Sequence, residues 1–144
     1  MIDRSAIFNA LFTKLQNNVP GCVTYTRILQ HWGAVQPNAM PYLGMIQEDQ
    51  IVEKIQKIPS KWKLFASIYI YTYQPDSQTS PIIQMNTIVN AVEATLAPGP
   101  GPNMIQNLGI AGVQDCWISG RIQTDEGTIG PIAVSIIPIE IFAA

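Results

Sequence analysis

The sequence predicts a single α+β domain over residues 1–144, a mixed, mainly antiparallel β-sheet packed by two helices in the order α-β-β-β-α-β-β. Three observations carry this. Lys61–Tyr73 (KWKLFASIYIYTY) is the strongest strand signal, with Phe65, Ser67, Tyr69, Tyr71 and Tyr73 on one side of a period-two ribbon and Leu64, Ile68, Ile70 and Thr72 on the other. Both sides are largely apolar or aromatic, which is the pattern of an inner strand covered on both faces. Two further stretches, Arg4–Leu15 and Ser80–Leu96, carry helical stripes instead. A length of 144 residues suits one domain with a real core.

Taken in order, Asp3 reads as the N-cap of the first helix, its carboxylate placed to accept from first-turn N–H groups and favoured by the helix dipole. Ile7, Phe8, Leu11, Phe12 and Leu15 then form an amphipathic stripe. Burying such side chains is worth roughly 1.5–3 kcal/mol each before the entropic cost. The helix ends near Asn17–Asn18 because Pro20-Gly21 bars continuation. Val23–Leu29 (VTYTRIL) is rich in β-branched and aromatic residues and reads as the first strand. His31–Pro41 is a connection punctuated by Gly33, Pro37-Asn38 and Pro41. Tyr42–Gln47 is the second strand, with Pro41 at its entry, where a missing N–H does least harm.

Glu48–Ser60 (EDQIVEKIQKIPS) reads two ways. Ile51, Ile55 and Ile58 have helical spacing, and Glu53 stands four residues before Lys57, a pair worth about 0.2–0.5 kcal/mol on a helix. An excursion between two antiparallel strands fits equally well, and on either reading the segment projects from the surface. After the central strand, Gln74–Thr79 is a polar turn. Ser80 then caps the second helix and Pro81 takes its first position, where proline loses nothing. Ile82, Met85, Ile88, Val89, Val92 and Leu96 form its buried stripe, and Ala97-Pro98 ends it. Pro98–Asn103 (PGPGPN) is a stiff loop unfit for helix or inner strand. Met104–Gly112 leads to the last two strands, Gln114–Gln123 and Ile129–Phe142, joined through TDEGT, whose Gly127 suits a hairpin turn. Gly120 predicts a bulge or close backbone approach, and Pro138 restricts one side of the last strand to an edge or bulge.

Composition narrows the function. Charged residues make up 12% of the chain and apolar ones 47%, against roughly 25% charged in an ordinary soluble domain. The missing charge implies either a surface rich in Gln, Asn, Thr and Ser or burial against other subunits, and large apolar surfaces favour burial. No run of 18 apolar residues spans a membrane, and Asp3 and Arg4 stand where a signal peptide would begin its apolar run. Cys22 and Cys116 lie far apart without metal or redox spacing and read as reduced core thiols.

The residues assemble no catalytic, cofactor or metal constellation, so no enzyme is expected and no cofactor is implied. The single histidine, His31, lies beside Trp32 in a loop and lacks partner ligands. A Cys–His couple is permitted but has no signature around either thiol. PGPGPN lacks the Lys and Ser/Thr of a phosphate loop, and Gly109-Ile110-Ala111-Gly112 lacks the basic neighbours of a nucleic-acid clamp. Four of the eight basic residues, Lys54, Lys57, Lys61 and Lys63, fall within ten positions, next to Trp62. They are the one candidate for phosphate contact, and Glu48, Asp49 and Glu53 directly before them favour a solvated, salt-bridged excursion.

One pattern remains. Leu108-Gly109, Gly112-Val113, Cys116, Ile118, Gly120, Asp125, Gly127, Gly130, Ala133 and Ile136-Pro138-Ile139 form a glycine-rich entry, a strand, a hairpin and a final strand ending in IPIEI. This resembles the tailed-bacteriophage tail-terminator and head–tail completion proteins, the minor tail protein U-like family. The order of elements, with Trp62 before the aromatic strand and a proline-started helix after it, is similar along nearly the whole chain. The resemblance implies a structural, ring-forming protein of the virion, assembled in the bacterial cytoplasm. Its partners would be further copies of itself (a homohexamer), the tail tube protein and the head–tail connector, with DNA only passing through the ring. A neck or head–tail joining protein of the same architecture is the nearest alternative; a small nucleic-acid-binding domain using Lys54–Lys63 is one of a different class. The resemblance carries over no site residues. From chain physics, the assembly contacts are expected on His31 and Trp32, on Lys54, Lys57, Lys61 and Trp62, and on Pro98, Pro100 and Pro102, because stiff or aromatic loops form interfaces at low entropic cost.

Overall fold

Helix α1 (Arg4–Asn18) starts at its expected cap: the Asp3 carboxylate accepts from Ala6 N–H at 3.0 Å. Ile7, Phe8, Leu11 and Leu15 are fully buried, and Phe12 packs at the margin of the same cluster. The computed structural model describes residues 1–100, 104–127 and 130–144. Six strands follow in one sheet: β1 (Thr24–Thr26), β2 (Tyr42–Glu53), β3 (Lys61–Tyr73), β4 (Val113–Ile118), β5 (Gln123–Glu126) and β6 (Ile132–Ala143). The spatial order is β1-β2-β3-β6-β4, with β5 also on β6. Only β1 and β2 are parallel; the other pairs are antiparallel. The second helix, α2 (Ile82–Thr95), lies between β3 and β4 in sequence. The class is therefore α+β, with the expected helices and a mixed, mainly antiparallel sheet.

β3 occupies the span read for the central strand and lies between β2 and β6. The expectation that it is covered on both faces needs correction. Leu64, Ala66, Ile68, Ile70 and Thr72 are closed under the helices, sharing one core with Met85, Ile88 and Val92 of α2 and with Ile137, Ile139 and Ile141 of β6. On the other face only Ser67 and Tyr71 are buried, while Phe65, Tyr69 and Tyr73 are half-buried. Both helices sit on the first face. Among the described residues the second is packed by the β1–β2 connection, whose Val35 and Met40 form a small cluster with Tyr42 and Tyr71. Packing thus explains the tyrosines: they make a second, smaller core that leaves part of the sheet open.

Three strand boundaries differ from the expectation for local reasons. The strand read over Val23–Leu29 shrinks to β1, because Ile28 N–H turns back onto the Thr26 hydroxyl at 2.9 Å instead of continuing the ladder. β2 runs on to Glu53, so the helix option for Glu48–Ser60 is overturned. Gln50–Glu53 pair with Lys61–Leu64, after a bulge between Gln47 and Gln50, and the excursion is the end of a long hairpin. Finally, the strand read over Gln114–Gln123 stops at Ile118, with Gly120 (φ +85) in the break. A separate strand, β5, takes Gln123–Glu126, so Thr124–Glu126 of the stretch read as the TDEGT turn are paired on β6 and the C-terminal strands number three instead of two. The break accommodates Pro138. Its carbonyl accepts from Ser119 N–H at 3.0 Å, and Pro138 itself falls between Ile139, the last residue paired with β4, and Ile136, the first paired with β5, where its missing N–H interrupts neither ladder.

α2 begins one residue later than expected: Pro81, with helical φ −66, takes the cap position instead of the first helical one, and the Ser80 hydroxyl before it accepts from Ile82 N–H at 3.2 Å. Its stripe buries Met85, Ile88, Val92 and Leu96, and Asn86, Asn90 and Glu93 face solvent. Ile129, the first residue read into the last strand, lies outside the described residues; β6 itself alternates perfectly, burying Ala133, Ser135, Ile137, Ile139, Ile141 and Ala143.

Candidate functional site

The candidate residues fall in three places, and the fold does not bring the three together. The first is a β-arm, the end of the β2–β3 hairpin. Past Gln47 the hairpin leaves the helix-side core, and Ile51, Val52, Ile55 and Ile58 are 51%, 49%, 61% and 45% exposed. Four large apolar side chains thus stand in solvent on one short projection, an exposed patch of the kind found at interaction surfaces. Its lysines are held differently from one another. Lys54 Nζ donates to the Ile58 carbonyl at 2.9 Å and closes the tip. Lys63 pairs with Glu53 at 3.7 Å, an exposed bridge of small energetic weight. Lys61 Nζ lies 5.8 Å from the Phe142 ring centroid. Lys57 sits at the tip in the left-handed region, φ +64. Trp62 belongs to the root of the arm: the Arg4 guanidinium lies 4.3 Å from its ring centroid, and its ring packs against the helix-side core. It ties the arm to α1.

The second place is a socket of about 460 Å³ on the open face of the sheet, and it contains His31 and Trp32. Strand register builds its floor. Tyr69, Ile136 and Gln123 form one cross-strand row on β3, β6 and β5, and Tyr71, Val134 and Asp125 form the next. The β1–β2 connection builds its wall. Tyr71 Oη donates to the Gln30 carbonyl at 2.6 Å, and Tyr42 Oη bridges Ile28 O and Gln30 N at 3.2 and 3.1 Å. The two tyrosine rings stack at 4.9 Å with planes 11° apart. Burial, then the neighbouring tyrosines, push the Tyr71 phenol up to about 12, so it stays a neutral donor. Above this floor His31 takes Gly33 N–H on Nδ1 at 3.0 Å and sets its ring 4.8 Å from that of Trp32. Asp125 closes the far side. Its Oδ1 is shut off from solvent and accepts no hydrogen bond.

Sequence reading found His31 and Trp32 but missed Tyr69, Tyr71 and Asp125 as members of one site. Period two placed the two tyrosines on one face; only the β3–β6–β5 register joins them to Asp125.

The third place is the end of α2. Pro98 and Pro100 are exposed, and Pro102 lies outside the described residues. The described residues on either side are tied to each other: Gly99 N–H donates to the Ile105 carbonyl at 2.9 Å, and Gln106 Nε2 donates to the Ala97 carbonyl at 2.8 Å. Asp115 on β4 accepts from Gln106 N–H at 3.0 Å and ties Gln106 to the sheet edge.

A thiol–imidazole couple is not assembled. Cys22 and Cys116 pack against the helix-side core, while His31 stands over the opposite face. Burial pushes the Cys22 thiol up to about 11 and the Cys116 thiol up to about 12, so both are protonated and unreactive near neutrality. Among the described residues no group of three His, Cys, Asp or Glu side chains is placed to hold a metal ion, and no helix is long and apolar enough to cross a membrane.

No family model and no curated protein matches the chain. Among solved structures, the chain is similar to one in the virion of a native gene transfer agent particle, with a TM-score of 0.59 and 12% sequence identity. The likeness covers 94% of this chain and 92% of that one. At that identity it shows a shared fold.

Proposed function

We propose that the chain is a structural protein of a phage-like virion, and within that class a tail terminator: a ring of identical subunits that caps the completed tail tube, stops its polymerisation and presents the tail to the head connector. The observation that carries the reading is the near end-to-end fold likeness to a chain of a gene transfer agent virion, 94% of this chain against 92% of that one. Two features of the molecule support the same reading. Only 12% of residues are charged, which suits a subunit with extensive buried contacts. The β-arm displays Ile51, Val52, Ile55 and Ile58 to solvent, as a head-to-tail ring subunit requires of a surface that closes onto a neighbour. The motif over Leu108–Ile141 resembles the tail-terminator and head–tail completion proteins, which supports the reading, and Gly109, Gly112, Gly120, Gly127 and Gly130 of that motif all adopt positive φ here. These glycines set turns, so their role is architectural.

The test is the mass of the assembly, measured by light scattering across a concentration series, alone and with purified tail tubes of the same phage-like particle. A ring near six subunits, formed free or on the tube, supports the terminator. A protein that remains monomeric and leaves the tubes unbound defeats it.

A further inference from the structure

The arm and the socket complement one another in charge and in polarity. Asp125 presents a carboxylate whose Oδ1 is shielded and without a hydrogen bond, beside Tyr71, Trp32 and His31. Among the described residues the one ion pair joins Lys63 to Glu53, so Asp125 has no cation of its own. A half-buried carboxylate walled by aromatic rings favours a cation twice over, through Coulomb attraction and through the ring faces. Cations are scarce around the socket: Arg121, exposed two residues before β5, is the sole Lys or Arg from Leu64 to Ala144, and Arg27, ahead of the β1–β2 connection, donates instead to Asn9 Oδ1 on α1 at 3.0 Å.

The arm carries what the socket lacks. Lys57 stands at its tip between Ile55 and Ile58, both exposed. It cannot fold back onto its own socket. Lys61 is already eight residues from Tyr69 along β3, about 26 Å at about 3.3 Å per residue, and the paired strands carry the tip further away. A second copy has no such restriction.

We infer that the arm tip of one copy seats in the socket of the next, Lys57 against Asp125, with Ile55 and Ile58 on the apolar wall of Trp32, Val134 and Ile136. The inference rests on the ring-forming reading above and gives that reading its contact. Arm and socket are different surfaces, so the contact is heterologous and closes into a ring when the rotation between copies permits.

Charge reversal in two separate proteins tests it. Lys57→Asp leaves an acidic tip facing an acidic socket, and Asp125→Lys leaves a basic tip facing a basic socket. Each variant alone is expected to associate at least about tenfold more weakly than the unsubstituted chain in sedimentation velocity, with unchanged far-UV circular dichroism. Mixed in equal amounts, the two variants present opposite charges at every arm and socket and are expected to recover association as alternating assemblies. Damage to the fold of either variant cannot produce that recovery. Single variants that associate like the unsubstituted chain, or a mixture no stronger than its components, would overturn the contact and leave ring formation standing. An unsubstituted chain that stays monomeric both free and on tail tubes would overturn the contact and the ring together.

Discussion

The asymmetry between the helix-side core and the arm sets up a comparison of two identical deletions. Ile68 and Ile55 are both isoleucines on the β2–β3 unit, one with no exposed surface and the other 61% exposed. Ile68 lies in register between Met45 and Ile137 and beneath the helices, inside the cluster that includes Phe8, Leu11 and Met85. Ile68→Ala removes three carbons from a site walled by strands on both sides and helices above, where little can collapse into the gap. Such deletions cost about 2–5 kcal/mol, and the confinement places this one at about 3–4 kcal/mol. At about 3 °C per kcal/mol for a chain of this size, the melting temperature falls by about 10 °C. Ile55→Ala removes the same atoms from solvent and changes stability by less than about 0.5 kcal/mol. The assay is urea unfolding followed by far-UV circular dichroism, at a concentration low enough to keep the chain unassembled. Equal losses at the two positions, or a loss under about 1 kcal/mol at Ile68, would refute the assignment of the main core to one face of β3.

Two further predictions rest on single groups. Asp3→Ala removes the carboxylate that accepts from Ala6 N–H at 3.0 Å and should cost about 1 kcal/mol in the same urea assay; Asp3→Ser should restore most of it. Cys116 and Cys22 hold their protons more tightly folded than unfolded, with thiols near 12 and 11 against 9.0 in the absence of burial. Their contribution is fully present below about pH 9 and is lost as pH rises through the folded values, so stability should decline from pH 9 upward. The decline should be shallower in Cys116→Ala, and equal slopes would count against burial as the cause.

Much of the fold was legible where local chemistry and tertiary packing agree. The bounds of β3 follow from an unbroken run of β-branched and aromatic residues, and α1 is fixed by Asp3 at one end and Pro20-Gly21 at the other. The arm was ambiguous because Ile51, Ile55 and Ile58 keep helical spacing while none of them is buried; spacing reports a face only when that face is packed. Likewise VTYTRIL has strand composition, yet the Thr26 hydroxyl captures Ile28 N–H and ends β1 early. Both faces of β3 look apolar in sequence, and nothing local states that the helices take the same one. The socket was half visible. His31 and Trp32 stood out as an aromatic pair in a loop, whereas Asp125 joins Tyr71 only through β6, a register no local pattern encodes.

A chain with the proposed terminator role ends a tail tube, and tube length reads that out. Tail tube protein is polymerised with and without the purified chain at increasing molar ratio, and tube ends and lengths are measured by electron microscopy. The expected result is a ring seated on one end of each tube, with elongation halted once that end is occupied. Tubes that lengthen at an unchanged rate, with both ends bare at saturating chain, would contradict it.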